Sequence, residues 1–194
     1  MTDLDLLKDA LKPDPHLVEE PIHTSPQWRG RVFGVDVTDV SQPDGRTGRR
    51  ELVHHNGGCG VVAVREDGRM CLVRQWRVAL GRMTVEIPAG RIERDEDATD
   101  AAARELVEET GLVSTKPLEH VATSYGSPGF TDECTRIFYA DSLTQGEATP
   151  DDDEFVGVLW ADPAAVVQAS LDGLVVDAKT IIGAYVATSR QRPC

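Results

Sequence analysis

Residues 90–112, GRIERDEDATDAAARELVEETGL, decide the fold of this chain of 194 residues. The second half of the stretch favours an α-helix, because Asp97 is a suitable amino-terminal cap and the alanines at 101–103 have high helix propensity. Gly111 follows where a glycine commonly ends a helix. The stretch therefore predicts one well-defined helix between Asp97 and Gly111.

Three carboxylates crowd one face of this predicted helix. A rotation of about 100° per residue places Glu105, Glu108 and Glu109 within an arc of roughly 100°. No lysine or arginine stands at 112 or 113 to pair with the last two, and like charges at this spacing destabilise a helix. Either the face is simply solvated, or its oxygens hold a divalent cation such as Mg²⁺ or Mn²⁺.

Apolar and polar residues alternate on both sides of the helix, which predicts strands. The dipeptide Asp67-Gly68 is a hairpin signal between two of them. We expect strands at 31–40, 49–55, 59–66, 69–76, 83–87, 117–124, 133–140 and 155–160, and helices from Asp162-Pro163 and over 177–190. This order predicts an α/β (α+β) fold with a mixed sheet packed between helices.

The first 55 residues differ in character from the rest. Four prolines predict an irregular arm over residues 1–26, with a short helix at most. Residues 27–55 predict two or three antiparallel strands. We therefore divide the chain into an N-terminal arm with a strand extension, 1–55, and a main domain, 56–194.

The formal net charge is −13, from 20 basic and 33 acidic residues. This balance argues against partners such as nucleic acid or an anionic membrane, since both require a basic surface. Most of the excess lies in two segments, 84–112 with a net charge of −6 and 147–154 with −5. The concentration is compatible with a solvated surface and also with a cation site made of oxygen ligands.

The cysteines and the start of the chain indicate a reducing compartment. Cys59, Cys71, Cys134 and Cys194 contain no C-x-x-C pair, so neither a zinc site nor a disulfide framework is indicated. The charged amino terminus lacks the apolar segment of a signal peptide, and no apolar run approaches the ~18 residues of a membrane span. We expect a cytoplasmic protein.

The fixed positions of the deciding stretch resemble the signature of the Nudix hydrolase family. Five residues separate Gly90 from Glu96, seven more precede Arg104-Glu105-Leu106, and Glu108-Glu109 and Gly111-Leu112 complete the pattern. Every fixed position is filled across 23 residues. The resemblance covers residues 31–190 and implies a Nudix-type α/β/α sandwich, here with the N-terminal strand extension added.

Flanking segments are similar to the ADP-ribose pyrophosphatase branch of that family. They are Leu72–Arg77 (LVRQWR), Glu86–Gly90 (EIPAG) and Ser127–Glu133 (SPGFTDE), and Pro128 stands 16 positions beyond the signature. Residues 151–155, DDDEF, resemble the acidic loop of the branch. The branch often has glutamate where this chain has Asp152, which makes Asp152 the weaker of two acidic candidates.

The resemblance implies a set of metal-binding and catalytic residues. Glu105 and Glu109 are the expected metal ligands, with Glu108 and the Ala89 carbonyl in support and Arg104 holding a signature glutamate in place. Glu154 is expected to be the general base or a further metal ligand, and Asp152 is the alternative base. The expected ion is Mg²⁺, or Mn²⁺ in its place.

The same resemblance implies substrate contacts. Arg77 is expected to bind a phosphate, because a guanidinium matches phosphate oxygens, and Glu86 belongs to the same candidate site. Trp28 or Phe33 is a candidate to stack on the adenine. Further candidates lie in the loop expected near the terminal ribose, namely Pro128, Gly129 and Glu133.

The expected reaction is Mg²⁺-dependent hydrolysis of the pyrophosphate bond of ADP-ribose to AMP and ribose 5-phosphate. Two alternatives stay open: another nucleotide sugar such as ADP-glucose or GDP-mannose, and a module that senses ADP-ribose without cleaving it. The branch commonly pairs a strand extension with a second subunit. We therefore expect a homodimer, with residues 1–55 forming the interface.

Overall fold

The computed structural model describes residues 2–149 and 155–191. The chain divides into two compact units. The N-terminal unit contains the residues up to 55 together with 129–132, and the C-terminal unit contains 56–128 and the residues from 133 onward. None of the helices in the described ranges has both the length and the apolar character that a membrane span requires.

A short helix and a three-stranded antiparallel sheet form the N-terminal unit. Helix α1 covers Asp3–Ala10, and strands β1, β2 and β3 cover Glu20–Arg29, Phe33–Ser41 and Thr47–His55. The strand order is β1-β2-β3. Buried residues alternate with less buried ones along β2, so the strand has the predicted period of two. The buried positions include the polar Asp36 and Thr38, whereas the apolar Val35 and Val37 are less buried.

Strand β1 corrects the prediction of an irregular arm over residues 1–26. It runs through Pro21 and Pro26 at the edge of the sheet and pairs with β2. The register shifts between Pro21 and His23 and again between Pro26 and Trp28. An edge strand tolerates proline because one of its sides needs no backbone partner, and bulges absorb the missing donor.

Residues 129–132 lie beside β3. The Val53 amide donates to the Phe130 carbonyl at 2.8 Å, and the Asp132 amide donates to the Val53 carbonyl at 3.3 Å. Nδ1 of His54 lies 2.6 Å from Oδ2 of Asp132. Backbone and side-chain contacts therefore anchor this segment to the N-terminal sheet, an arrangement that no local sequence pattern indicated.

The elements of the C-terminal unit largely follow the predicted order. Its helices are α2 (Ala98–Thr110), α3 (Pro163–Leu171) and α4 (Ala178–Gln191). Its strands are β4 (Gly58–Ala63), β5 (Met70–Arg77), β6 (Arg82–Glu86), β7 (Ala89–Arg91), β8 (Leu112–Ser114), β9 (Glu119–Tyr125), β10 (Cys134–Ala140), β11 (Leu143–Gln145) and β12 (Gly157–Ala161).

The central sheet is mixed, as predicted. Its order is β7-β4-β10-β9, with β4 and β10 parallel and the other pairs antiparallel. An antiparallel sheet of order β12-β5-β6 and the pair β11-β8 complete the unit.

Side chains of β4 alternate between two apolar cores, as strand geometry requires. Val61 and Ala63 belong to the core that contains Leu106 of α2. Val62 belongs to the core that contains Ala184 of α4. Helix α2 therefore covers one face of the central sheet and α4 the other, and the predicted α/β/α arrangement is confirmed.

The first turn of α4 is attached to the segment between β6 and β7. The hydroxyl of Thr180 is fully buried; it donates to Oδ2 of Asp177 at 2.5 Å and accepts from the Ile87 amide at 2.8 Å. Asp177 also accepts from the Thr180 amide at 2.9 Å, so it satisfies one of the unpaired amides at the helix start. Thr180 thus joins α4 to the backbone just before Ala89.

We expect Thr180→Val to lower the free energy of unfolding by about 1–3 kcal/mol, because it leaves the buried Ile87 amide without its acceptor. Thr180→Ser keeps the hydroxyl and should retain most of that stability. Urea unfolding of both variants and the wild type, followed by circular dichroism, measures the difference. Equal unfolding free energies for Thr180→Val and the wild type would contradict this role.

Candidate active site

Helix α2 begins and ends as the sequence predicted. Oδ1 of Asp97 accepts from the Thr99 amide at 2.7 Å and caps the helix. Gly111 ends it with a φ of 71°, a backbone conformation that glycine adopts without steric cost. A Cβ at Gly111 would also lie 2.8 Å from the Gly146 carbonyl oxygen. Both ends of the helix are therefore fixed by the residues that predicted them.

Two carboxylates of α2 are buried against β7. Glu105 is 7% exposed and Glu109 is 4% exposed. Oε2 of Glu109 accepts from the Ala89 amide at 2.9 Å. A Cβ at Gly90 would lie 2.0 Å from Cδ of Glu105, so only glycine lets this carboxylate reach the strand. The interpretation of these residues as a solvated helix face is therefore wrong for Glu105 and Glu109.

Arg104 donates hydrogen bonds to three acidic side chains. Its Nη1 donates to Oε1 of Glu105 and to Oε2 of Glu108, each at 2.8 Å. Its Nε and Nη2 donate to the carboxylate of Glu96 at 2.9 and 3.1 Å. The hydrogen bonds to Glu96, with those to the other two acids, raise the pKa of Arg104 above its ordinary value. The guanidinium therefore stays charged and offsets the repulsion among these acids.

The chemistry of these ligands suits a hard divalent cation. Glu105, Glu108 and Glu109 offer carboxylate oxygens, and the adjacent backbone offers the carbonyl of Ala89; Mg²⁺ and Mn²⁺ favour such oxygens. Within residues 2–149 and 155–191, no three acidic, histidine or cysteine side chains converge closely enough to hold an ion by themselves.

A second charged group lies on β5, β6 and α4. Nε and Nη2 of Arg77 donate to the two carboxylate oxygens of Glu86, both at 2.8 Å. Nζ of Lys179 donates to Oε2 of Glu86 at 2.6 Å, and Oγ1 of Thr84 donates to Oε1 at 2.7 Å. Burial raises the pKa of Glu86, but the bonds and charges of Arg77 and Lys179 outweigh it and bring the pKa to about 2.

The predicted aromatic candidates lie in the N-terminal unit. The rings of Trp28 and Phe33 are 5.0 Å apart between centroids and inclined by 46°. Trp28 is 50% exposed and Phe33 is 42% exposed. Each ring therefore contacts the other and keeps a substantial exposed area.

The remaining predicted site residues fall in different parts of the structure. Pro128 and Glu133 belong to the C-terminal unit and Gly129 to the N-terminal unit, and all three are exposed. Asp152 and Glu154 lie outside the described residues. Their roles, like those of the other site residues, stay predictions.

Sequence reasoning assigned no role to Glu96, Thr84 or Lys179. Glu96 is a fixed position of the signature, so that pattern could have drawn attention to it. Lys179 follows Glu86 by 93 residues, and no local pattern connects them. This contact exists only because α4 packs beside the end of β6.

The α/β/α sandwich and the acid-rich turn of α2 define the class of protein. Residues 54–182 match the NUDIX domain. Since this match covers well over half of the sequence, the chain belongs to the Nudix family.

Known relatives resemble nearly the whole chain. It is 38% identical over 166 residues to an ADP-ribose pyrophosphatase of Bacillus subtilis, covering 84% of this chain and 89% of that protein. It is 37% identical, with the same coverages, to a methanol dehydrogenase activator of Bacillus methanolicus. Among solved structures, an ADP compounds hydrolase matches with a TM-score of 0.76 and 20% identity, covering 89% of this chain and 93% of that one. This last likeness concerns the fold.

Proposed function

We propose that this protein hydrolyses the pyrophosphate bond of ADP-ribose, giving AMP and ribose 5-phosphate, with Mg²⁺ as the activating ion. The observation that carries the proposal is the pair of carboxylates, Glu105 and Glu109, buried against Ala89 and Gly90. Their oxygens and the adjacent Ala89 carbonyl are ligands of the kind that Mg²⁺ favours. The 38% identical ADP-ribose pyrophosphatase supports the choice of substrate.

Glu105 and Glu109 would hold the ion, assisted by Glu108, the Ala89 carbonyl and Glu154. A bound divalent ion neutralises phosphate charge and polarises phosphorus for attack. Arg104 would orient two of these ligands, because its Nη1 donates to the carboxylates of Glu105 and Glu108 at 2.8 Å. Such outer contacts orient metal ligands.

Glu154, or Asp152 in its place, would orient the attacking water and accept its proton. The water oxygen forms a bond to one phosphorus as the bond from that phosphorus to the bridging oxygen breaks. The bridging oxygen leaves with the other phosphate, which takes up a proton from the medium. A base of this kind typically contributes a factor of ~10²–10⁴ in rate.

Arg77 would bind a phosphate of the substrate, with Glu86 holding the guanidinium. The side chain of Arg77 is 43% exposed while that of Glu86 is 4% exposed, so the cation, and not the acid, is presented to a ligand. Trp28 or Phe33 would stack on the adenine. Near the terminal ribose we expect Pro128, Gly129 and Glu133.

A substrate panel tests the proposal. With Mg²⁺ present, kcat/KM for ADP-ribose should exceed the values for ADP-glucose, GDP-mannose and NADH. A higher kcat/KM for another nucleotide sugar would mean that the protein hydrolyses the pyrophosphate bond of that substrate instead. Tight binding of ADP-ribose without cleavage would favour a sensing module. Because one relative is named as a methanol dehydrogenase activator, the panel includes an assay of dehydrogenase activation.

The dimer is also part of the proposal. The N-terminal unit exposes large apolar side chains, including Leu7, Leu11, Ile22 and Val32. A two-fold homodimer with an obligate interface of more than ~2,000 Å² would cover such residues.

Removing residues 1–55 should abolish both the dimer and the activity, because residues of the extension are expected to complete the site. Sedimentation equilibrium at micromolar concentration, with full-length and truncated protein, measures the oligomeric state, and ADP-ribose hydrolysis is assayed on the same samples. A full-length monomer that turns over ADP-ribose at full rate would contradict the shared-site prediction.

A cytoplasmic location completes the proposal. Cys59, Cys71 and Cys134 are free thiols. Burial raises the pKa of Cys59 and of Cys71 to about 12, so both thiols stay protonated and unreactive. Free, buried cysteines are compatible with a reducing compartment.

A further inference from the structure

Lys179 lies in the first turn of α4 with a largely buried side chain. Its Nζ donates to Oε2 of Glu86 at 2.6 Å and to Oδ1 of Asp177 at 2.9 Å. The side chain of Lys179 is 14% exposed and that of Glu86 is 4% exposed. A buried charge pair of this kind is sensitive to the loss of either partner. Asp177, the other partner of Lys179, is itself held by Thr180.

Glu86 presents its carboxylate to Arg77 in a fixed orientation. The two bonds of 2.8 Å use Nε and Nη2 of the guanidinium, and Nη1 takes no part in them. Bidentate contacts of this kind fix the plane of a guanidinium as well as its position. Nη1 therefore belongs to the edge of Arg77 that Glu86 leaves available for another acceptor.

Asp177 belongs to the same charged group, because Lys179 donates to it as well. Arg77, Lys179, Glu86 and Asp177 together have no net charge, so Lys179 does not give the group a net positive charge. What Lys179 contributes is a second cation on the carboxylate of Glu86. This contact fixes the orientation in which Glu86 holds Arg77.

We propose that Lys179 is a positioning residue for substrate binding: through Glu86 it holds Arg77 so that the guanidinium binds a phosphate of the nucleotide sugar. The inference rests on the proposed function, in which Arg77 contacts a phosphate. It adds a residue from α4, far away in sequence, to the determinants of substrate affinity. A purely structural salt bridge is the competing interpretation.

Lys179→Met removes the charge and keeps the length of the side chain, and Lys179→Arg keeps the charge. We expect Lys179→Met to weaken binding of the non-hydrolysable α,β-methylene analogue of ADP-ribose about tenfold, measured by calorimetry with Mg²⁺. It should raise KM for ADP-ribose similarly and change kcat less than about twofold, the pattern for lost ground-state binding. Lys179→Arg should recover most of the affinity.

Arg190→Met is the matched control, because it removes another cation of α4 that pairs with Glu119 and not with Glu86. It should bind the analogue as the wild type does. Should Lys179→Met fail to fold, Lys179→Leu removes the same donor and should show the same loss of affinity, whereas Lys179→Gln, which can still donate to Glu86, should lose less.

A double variant separates positioning from general destabilisation. If Lys179 acts through Arg77, adding Lys179→Met to Arg77→Met should weaken the binding no further than about twofold. An equal tenfold loss in both backgrounds would overturn the proposal, and so would unchanged affinity in Lys179→Met when the wild type hydrolyses ADP-ribose normally. Wild-type binding without hydrolysis would contradict the proposed reaction alone, whereas absence of binding would contradict both.

Discussion

Glu109→Gln should lower kcat for ADP-ribose by ~10² or more, the scale expected when a ligand of a catalytic metal is lost. The fold should survive, because the amide oxygen of glutamine can still accept from the Ala89 amide, as Oε2 of Glu109 does at 2.9 Å. Loss of one charge from an acidic group should also stabilise the metal-free protein slightly. Kinetics and thermal melts with and without Mg²⁺ measure both effects.

Glu119→Gln is the matched control for this substitution. Glu119 is an exposed carboxylate whose side chain pairs with Arg190, and its loss should leave kcat within about twofold of the wild type. Mg²⁺ should raise the melting temperature of the wild type and of Glu119→Gln, and should have little effect on Glu109→Gln. Near-normal turnover by Glu109→Gln would contradict the metal assignment.

Glu154→Gln should lower kcat by a factor of ~10²–10⁴ while KM changes little, because a general base acts mainly on the transition state. The prediction rests on the sequence, since residues 147–154 contain five acids and no basic residue. Asp152→Asn is measured beside it, because Asp152 is the alternative base.

Asp153→Asn is the control within the same acidic run and should keep the wild-type kcat. If Glu154→Gln and Asp152→Asn both keep that value, the base lies elsewhere and Glu133 becomes the next candidate. Steady-state kinetics at saturating Mg²⁺ distinguishes these outcomes.

Local signals were sufficient for most elements of the C-terminal unit. Helix α2 was predictable because Asp97 and Gly111 mark its ends. Strand β4 was predictable because its sequence is almost entirely apolar, which is typical of a strand that is covered on both faces. Strand β1 was missed because prolines argue against a strand unless its edge position is known. The pairing of residues 129–132 with β3 was missed because it depends on tertiary contact.

The site was predictable where its residues share one helix. Glu105, Glu108 and Glu109 stand close together in sequence, so helical geometry alone brought them to one face. The burial of Glu105 was not predictable, because it depends on the approach of Gly90 to its carboxylate.

The environment of Arg77 required the structure as well. The sequence indicated a phosphate contact, whereas the structure pairs its guanidinium with Glu86 and, through Glu86, with Lys179. Contacts between segments that are distant in sequence cannot be predicted from local patterns, so the pairing of Glu86 with Lys179 could be seen only in the structure.

The most direct test of the account is ³¹P NMR of ADP-ribose incubated with the wild-type protein, first with Mg²⁺ and then with excess EDTA. With Mg²⁺, the two pyrophosphate resonances should disappear and the phosphomonoester resonances of AMP and ribose 5-phosphate should appear in equal amounts. With EDTA the spectrum should stay unchanged. Unaltered ADP-ribose in the presence of Mg²⁺ or Mn²⁺, or cleavage at the same rate in EDTA, would contradict metal-dependent pyrophosphate hydrolysis by this chain.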